Sequence, residues 1–120
     1  MAGILLAEDD AAERGLLARG LAADGHAVVE AENGMVALQH FTSDPASIAV
    51  LITDLDMPEL DGVELARRAL SAKPSLKVLL ISGFVSGMDR AADLTARGAR
   101  SLVKPVAIEK VRSEVKSLLA

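Results

Sequence analysis

Short apolar runs that alternate with helix-patterned segments constrain this chain more than any other feature. Gly3 to Ala7, Ala27 to Val29, Ile48 to Ile52, Val78 to Ile81 and Leu102 to Val103 are mostly apolar throughout, without a polar residue at every second position. Strands of this kind are buried on both faces, which calls for a parallel sheet covered by helices on each side. The intervening segments supply the helices. After Ala11, Leu17 and Leu21 lie four apart and Gly25 offers a stop; Val36, Leu38 and Phe41 mark a second helix after Asn33-Gly34, which Asp44-Pro45 closes. A third runs from about Gly62 to Lys73 with Val63, Ala66 and Leu70 at spacings of three and four. A fourth runs from Met88 to Arg97, and a fifth carries Ile108, Val111, Val115 and Leu118. The fourth has little to bury beyond Leu94, Met88 and alanines, so it is expected to be the most weakly held.

Five strands alternating with five helices over residues 1–120 describe a single domain with one sheet. Right-handed crossovers, with the chain reversing after the first strand-helix-strand unit, predict a doubly wound sheet of order 2-1-3-4-5. That order sets the tips of strands 1 and 3 side by side, at the position where such sheets bind ligands.

Both tips are acidic. Strand 1 runs into Glu8-Asp9-Asp10, and strand 3 stops at Asp54, where Pro58 and Gly62 force a turn. Three carboxylates brought within a few ångströms cannot all stay ionised without a counter-charge, so Glu8, Asp9 and Asp54 call for a cation. Hard oxygen donors suit Mg²⁺ better than zinc, which would want His or Cys. The chain has no Cys, and His26 and His40 stand apart as surface or boundary residues. Asp10 is well placed to cap the first helix. Ser82 at the tip of strand 4 and Lys104 at the tip of strand 5 would flank the same pocket. A carboxylate nucleophile, a metal, a hydroxyl and an ammonium are together what an aspartyl phosphate requires.

The motifs Ile4-Leu5-Leu6-Ala7-Glu8-Asp9-Asp10, Asp54-Leu55-Asp56-Met57-Pro58-Glu59-Leu60-Asp61-Gly62, Ser82-Gly83 and Lys104-Pro105, in this order and spacing, resemble the receiver domain of two-component response regulators over essentially the whole chain. The resemblance implies a flavodoxin/CheY-like fold in which Asp54 accepts a phosphoryl group from a phosphohistidine on a sensor histidine kinase or a histidine phosphotransfer protein. It implies Mg²⁺, with Mn²⁺ as a substitute, held by Asp9, Asp54 and the backbone carbonyl of Asp56, with Glu8 acting through water. Ser82 and Lys104 would bind the phosphoryl group, and the bond before Pro105 would be cis. Asp56 and Phe84 fall where the family tunes dephosphorylation. The family's usual switch aromatic, three residues before the lysine, is replaced here by Ser101. The output is expected through a downstream protein bound on the face of helix 4, strand 5 and helix 5, near Arg90, Arg97, Arg100 and Lys110, by a monomer or a phosphorylation-dependent dimer.

Other classes fit less well. A net charge of -4 with scattered basic residues lacks the footprint of a nucleic-acid binder, and no apolar run is long enough to cross a bilayer. The absence of Cys and of a leader-like N-terminus makes the cytoplasm the expected compartment. Asp54-Leu55-Asp56 is formally the Asp-x-Asp of a haloacid-dehalogenase-like phosphatase, but those enzymes place an acidic pair after the lysine, where only Glu109 and Glu114 stand. A flavodoxin-like FMN binder would want aromatic residues to stack the ring, and the chain has no Trp or Tyr and two Phe. A degenerate receiver acting only as a binding module would not be expected to keep the full acidic, hydroxyl and lysine set. The domain is therefore expected to accept and lose a phosphoryl group without turning over a separate substrate.

Overall fold

The computed structural model describes residues 2–83 and 85–120. Its order is β1 (Gly3–Ala7), α1 (Ala11–Ala23), β2 (Ala27–Ala31), α2 (Gly34–Ser43), β3 (Val50–Asp54), α3 (Gly62–Ala72), β4 (Lys77–Ser82), α4 (Ala92–Ala96), β5 (Arg100–Val103) and α5 (Ile108–Leu119). All strand pairs are parallel and the sheet order is β2-β1-β3-β4-β5, as expected from the alternating pattern.

Successive residues of a strand point to opposite faces, and here both faces are covered. Leu5, Leu51 and Leu80 pack with Phe41 of α2, Leu65 of α3 and Leu94 of α4. Ile4, Leu6, Ile52, Leu79 and Ile81 pack on the other face with Leu17 and Leu21 of α1 and Val111 and Val115 of α5. The central strands β1, β3 and β4 thus fill two cores, one on each side of the sheet. The edge strands β2 and β5, which carry Glu30, Arg100 and Ser101, are exposed or half-buried at most positions and depart from the expectation of burial on both faces. Met57 and Met88 sit at the edge of the first core as partly buried packing residues.

Two boundaries differ from the sequence pattern. The third strand covers Val50–Asp54 and not Ile48–Ile52. Ile48 instead closes a 3-10 turn, its N–H donating to the Pro45 carbonyl, and sheet pairing continues through Thr53 and Asp54 opposite Leu80 and Ile81. Asp54 is therefore the last strand residue, held by the ladder. The segment expected to be one helix from Met88 to Arg97 is a 3-10 stretch, Val85–Ala91, followed by the short α4. Its start has no side-chain cap, since Ala91 occupies that position, and few apolar residues reward a longer helix.

The turn after β3 depends on glycine. The Gly62 N–H donates to the Leu55 carbonyl at 2.8 Å, and a Cβ at Gly62 would lie 1.9 Å from the Asp54 carbonyl oxygen. No other residue lets α3 start this close to the strand end. The first helix is capped as expected, the Asp10 carboxylate accepting from Ala12 and Glu13 N–H at 3.0 Å each. Asp10→Ala should cost about 1 kcal/mol of unfolding free energy, measured by urea denaturation followed by circular dichroism.

Candidate functional site

The sheet order delivers the tips of β1, β3, β4 and β5 to one rim. Glu8 and Asp9 follow β1, Asp54 ends β3, Ser82 ends β4 and Lys104 follows β5. The rim is buried where it matters: Glu8 is 3% exposed, Asp54 7% and Ser82 0%, while Asp9 is open to solvent. Glu8 is pinned by its own backbone, its N–H donating to the Ala31 carbonyl and its carbonyl accepting from Arg14 Nη1 at 2.8 Å. The Lys104 N–H donates to the Ser82 carbonyl at 2.7 Å, which extends the ladder past β5 and sets the lysine beside β4. The Lys104-Pro105 bond is cis, as the resemblance implied.

The Lys104 ammonium is the centre of the cluster. It lies 2.7 Å from Asp54 Oδ2, 2.8 Å from Glu8 Oε1 and 3.2 Å from Glu13 Oε2. One ammonium cannot neutralise these carboxylates together with Asp9. Burial pushes the Glu8 carboxyl up to about 7; the hydrogen bond from Lys104 opposes this, while Asp9 and Asp54 add to it. Burial alone would lower Lys104, but its hydrogen bonds to Asp54, Glu8 and Glu13 outweigh this and hold the ammonium well above the usual lysine range. Lys104 thus stays charged, while burial favours the protonated form of Glu8.

Carboxylate oxygens of Glu8, Asp9 and Asp54 all fall within 4.8 Å of one another. The donors are hard oxygens, one of them exposed, without imidazole or thiolate. That chemistry fits Mg²⁺, which keeps several of its waters and takes only one or two carboxylates directly. The negative charge that Lys104 leaves uncompensated favours a cation at the same place.

The loop after β3 positions the remaining groups. The Asp56 N–H donates to Asp54 Oδ1 at 3.1 Å, which orients the carboxylate from the side opposite Lys104. The Asp56 carboxylate itself pairs with Arg90 at 2.9 Å, and Arg90 also reaches Asp61 at 3.5 Å. An acid/base role for Asp56 beside Asp54, as the phosphatase alternative needs, is not what this pairing arranges. Glu59 in the same loop has φ of 72°, a left-handed conformation uncommon outside glycine. Ser101 is exposed on β5, and Phe84 lies outside the described residues.

Three participants were not visible in the linear motifs. Glu13 touches Lys104, Arg14 holds the Glu8 carbonyl, and Arg90 links the stretch before α4 to the loop after β3. Glu13 and Arg14 lie one turn into α1, so the helical period could have placed them near Glu8; nothing local signals Arg90. Of the cations expected on the docking face, Arg100 is paired with Glu114 and Ser117, and Lys110 with Glu114, so this surface is less basic than its composition suggests. His40 is exposed, whereas His26 precedes β2 half-buried, with its Nδ1 buried and without a hydrogen-bond partner among the described residues.

Comparison with known proteins agrees with this geometry. Residues 4–116 match the family described as response regulator receiver domain. The response regulator receiver protein CpdR of Brucella abortus is 38% identical over 119 residues, covering 99% of this chain and 98% of the relative. Response regulator MprA of Mycobacterium ulcerans is 36% identical over 116 residues, and there the chain spans about half of the relative, 49%. A receiver domain protein from Clostridium thermocellum superposes with a TM-score of 0.90 at 28% identity over 99% of this chain and 94% of that one. Thermotoga maritima TrrA, solved in complex with Mg(2+)-BeF, superposes with a TM-score of 0.82 at 29% identity over 98% and 99%. Among the described residues no helix is long and apolar enough to cross a membrane.

Proposed function

This chain belongs to the response regulator receiver-domain family, and on that premise we propose that Asp54 is the phosphoacceptor of a two-component or phosphorelay pathway. The observation that supports this most directly is the convergence of Glu8, Asp9 and Asp54 with the Lys104 ammonium at one rim of the sheet. An Asp54 carboxylate oxygen attacks the phosphorus of a phosphohistidine on a sensor kinase or phosphotransfer protein. The P–N bond breaks, the imidazole leaves and takes up a proton, and an acyl phosphate forms on Asp54. Water later attacks the same phosphorus, releasing inorganic phosphate and a proton and restoring the carboxylate. No separate substrate is turned over.

Asp56 N–H and Lys104 Nζ hold the two oxygens of Asp54 from opposite sides, so the nucleophile is oriented before a donor arrives. Lys104 and the Ser82 hydroxyl at the adjoining strand tip are assigned to the transferred oxygens. Asp9, Asp54 and the Asp56 carbonyl would hold Mg²⁺, or Mn²⁺ in its place, with Glu8 one water away. When bound, the ion would neutralise negative charge accumulating on the transferred oxygens. The complex of TrrA with Mg(2+)-BeF supports this assignment by likeness. The added dianion is then read by a downstream protein at α4, β5 and α5, with Ser101 in place of an aromatic reporter.

The test is incubation with a small acyl phosphate and Mg²⁺ followed by intact mass. One phosphoryl group per chain, labile to base and absent when a chelator removes Mg²⁺, is expected. A chain that gains no mass would make the domain a binding module.

A further inference from the structure

Glu13 is three residues after the helix cap Asp10. A glutamate at that position ordinarily folds back to accept the N–H of the capping residue. Here the Asp10 N–H is already bonded to Glu8 Oε2 at 3.2 Å, and the Glu13 carboxylate reaches across to β5, where it accepts from Lys104 Nζ at 3.2 Å. A lysine ammonium has three donors. All are engaged, by Asp54, Glu8 and Glu13.

A phosphoryl group on Asp54 brings new acceptor oxygens that draw on Lys104, so one of these contacts must give way. Asp54 carries the group itself. The Glu8 side chain is 5% exposed, and water has little access to replace the ammonium there. Glu13 has the longest contact and a side chain 43% exposed, so its carboxylate can be rehydrated at little cost.

We infer that Glu13 is a positioning residue acting through Lys104: it steadies the ammonium over the free Asp54 carboxylate and competes with the phosphoryl group for it afterwards. This rests on the phosphoacceptor reading above. A contact that is stronger in the unphosphorylated state opposes the phosphorylated one by the difference in strength.

The experiment measures binding of beryllofluoride, a phosphoryl mimic, at saturating Mg²⁺. Calorimetry is suitable because the chain has no Trp or Tyr. Glu13→Gln removes the charge; Glu13→Asp keeps it but withdraws it from Lys104 by one methylene. Both variants should bind the mimic about two- to fivefold more tightly than wild type. Tighter binding by Glu13→Gln alone would mark plain charge repulsion and overturn a role through Lys104, as would no gain in either variant with unchanged thermal midpoints. A variant that loses thermal stability and gains no affinity would show a purely structural residue, which also overturns the inference. Wild type that binds no mimic would instead overturn the phosphoacceptor reading, and this inference with it.

Discussion

Asp54→Asn is expected to give no phosphoryl adduct under conditions that label the wild-type chain to completion. The amide has nearly the shape of the carboxylate and keeps an oxygen for the Asp56 N–H, but it is not a nucleophile toward phosphorus. Its folding should be nearly unaffected, because two changes oppose each other. The substitution removes a charged partner of Lys104, and it also removes one of the carboxylates crowded around Glu8. Lys104 retains Glu8 and Glu13. Loss of labelling with a thermal midpoint within about 5 °C of wild type therefore assigns the defect to chemistry and not to unfolding. An adduct of the same mass in the variant, located by peptide mapping to Asp9 or Asp56, would move the phosphoacceptor away from Asp54. Magnesium affinity should fall in parallel, since one of the three clustered donors loses its charge.

Lys104→Met should destabilise the metal-free protein by about 2–3 kcal/mol. Removing one partner of a buried ion pair costs roughly 3–5 kcal/mol, reduced here because the Lys104 side chain is 23% exposed. Methionine keeps most of the length of the stem, so the loss reports the charge. Glu8 and Asp54 are left facing each other and Asp9 with no cation, and part of the cost is relieved by further protonation of Glu8. For a domain of this size the thermal midpoint should drop by about 10 °C without metal. Added Mg²⁺ should return a larger share of stability to the variant than to wild type, because an ion binding only the folded state supplies the missing positive charge. Unfolding followed by circular dichroism with and without Mg²⁺ checks both statements. Equal midpoints in the metal-free proteins would contradict the account of Lys104 as the counter-charge of this rim.

Much of this molecule was legible in the linear pattern, and the reasons are physical. Strands that are mostly apolar on both faces, as β1, β3 and β4 are, must be covered on both sides, and short connections with right-handed crossovers leave few sheet orders open. Acidic residues at the ends of two such strands then meet because the order makes those strands neighbours. Glu8, Asp9, Asp54, Ser82 and Lys104 could be gathered at one rim on this basis, and the structure gathers them. The cap at Asp10 was legible for a more local reason, since it involves backbone within three residues.

The failures have a common origin. Ile48 looks like the start of a strand, but its backbone is used by the turn from Pro45, and the ladder with β4 carries the strand on to Asp54. The fourth helix shortens because packing, not periodicity, decides how far a weakly apolar segment stays helical. The pattern of apolar runs and helical segments, taken with right-handed crossovers and one chain reversal, therefore settled the alternation of elements, their parallel sheet and which strand tips share a rim. Only the folded chain decided that Glu13 takes the third donor of Lys104, that Arg90 holds the Asp56 carboxylate, and that Glu8 lies deepest among the acids. The reach of a long side chain across a few ångströms depends on how separate elements pack and on which nearer partner is already occupied, and neither is written into the spacing of residues along one element.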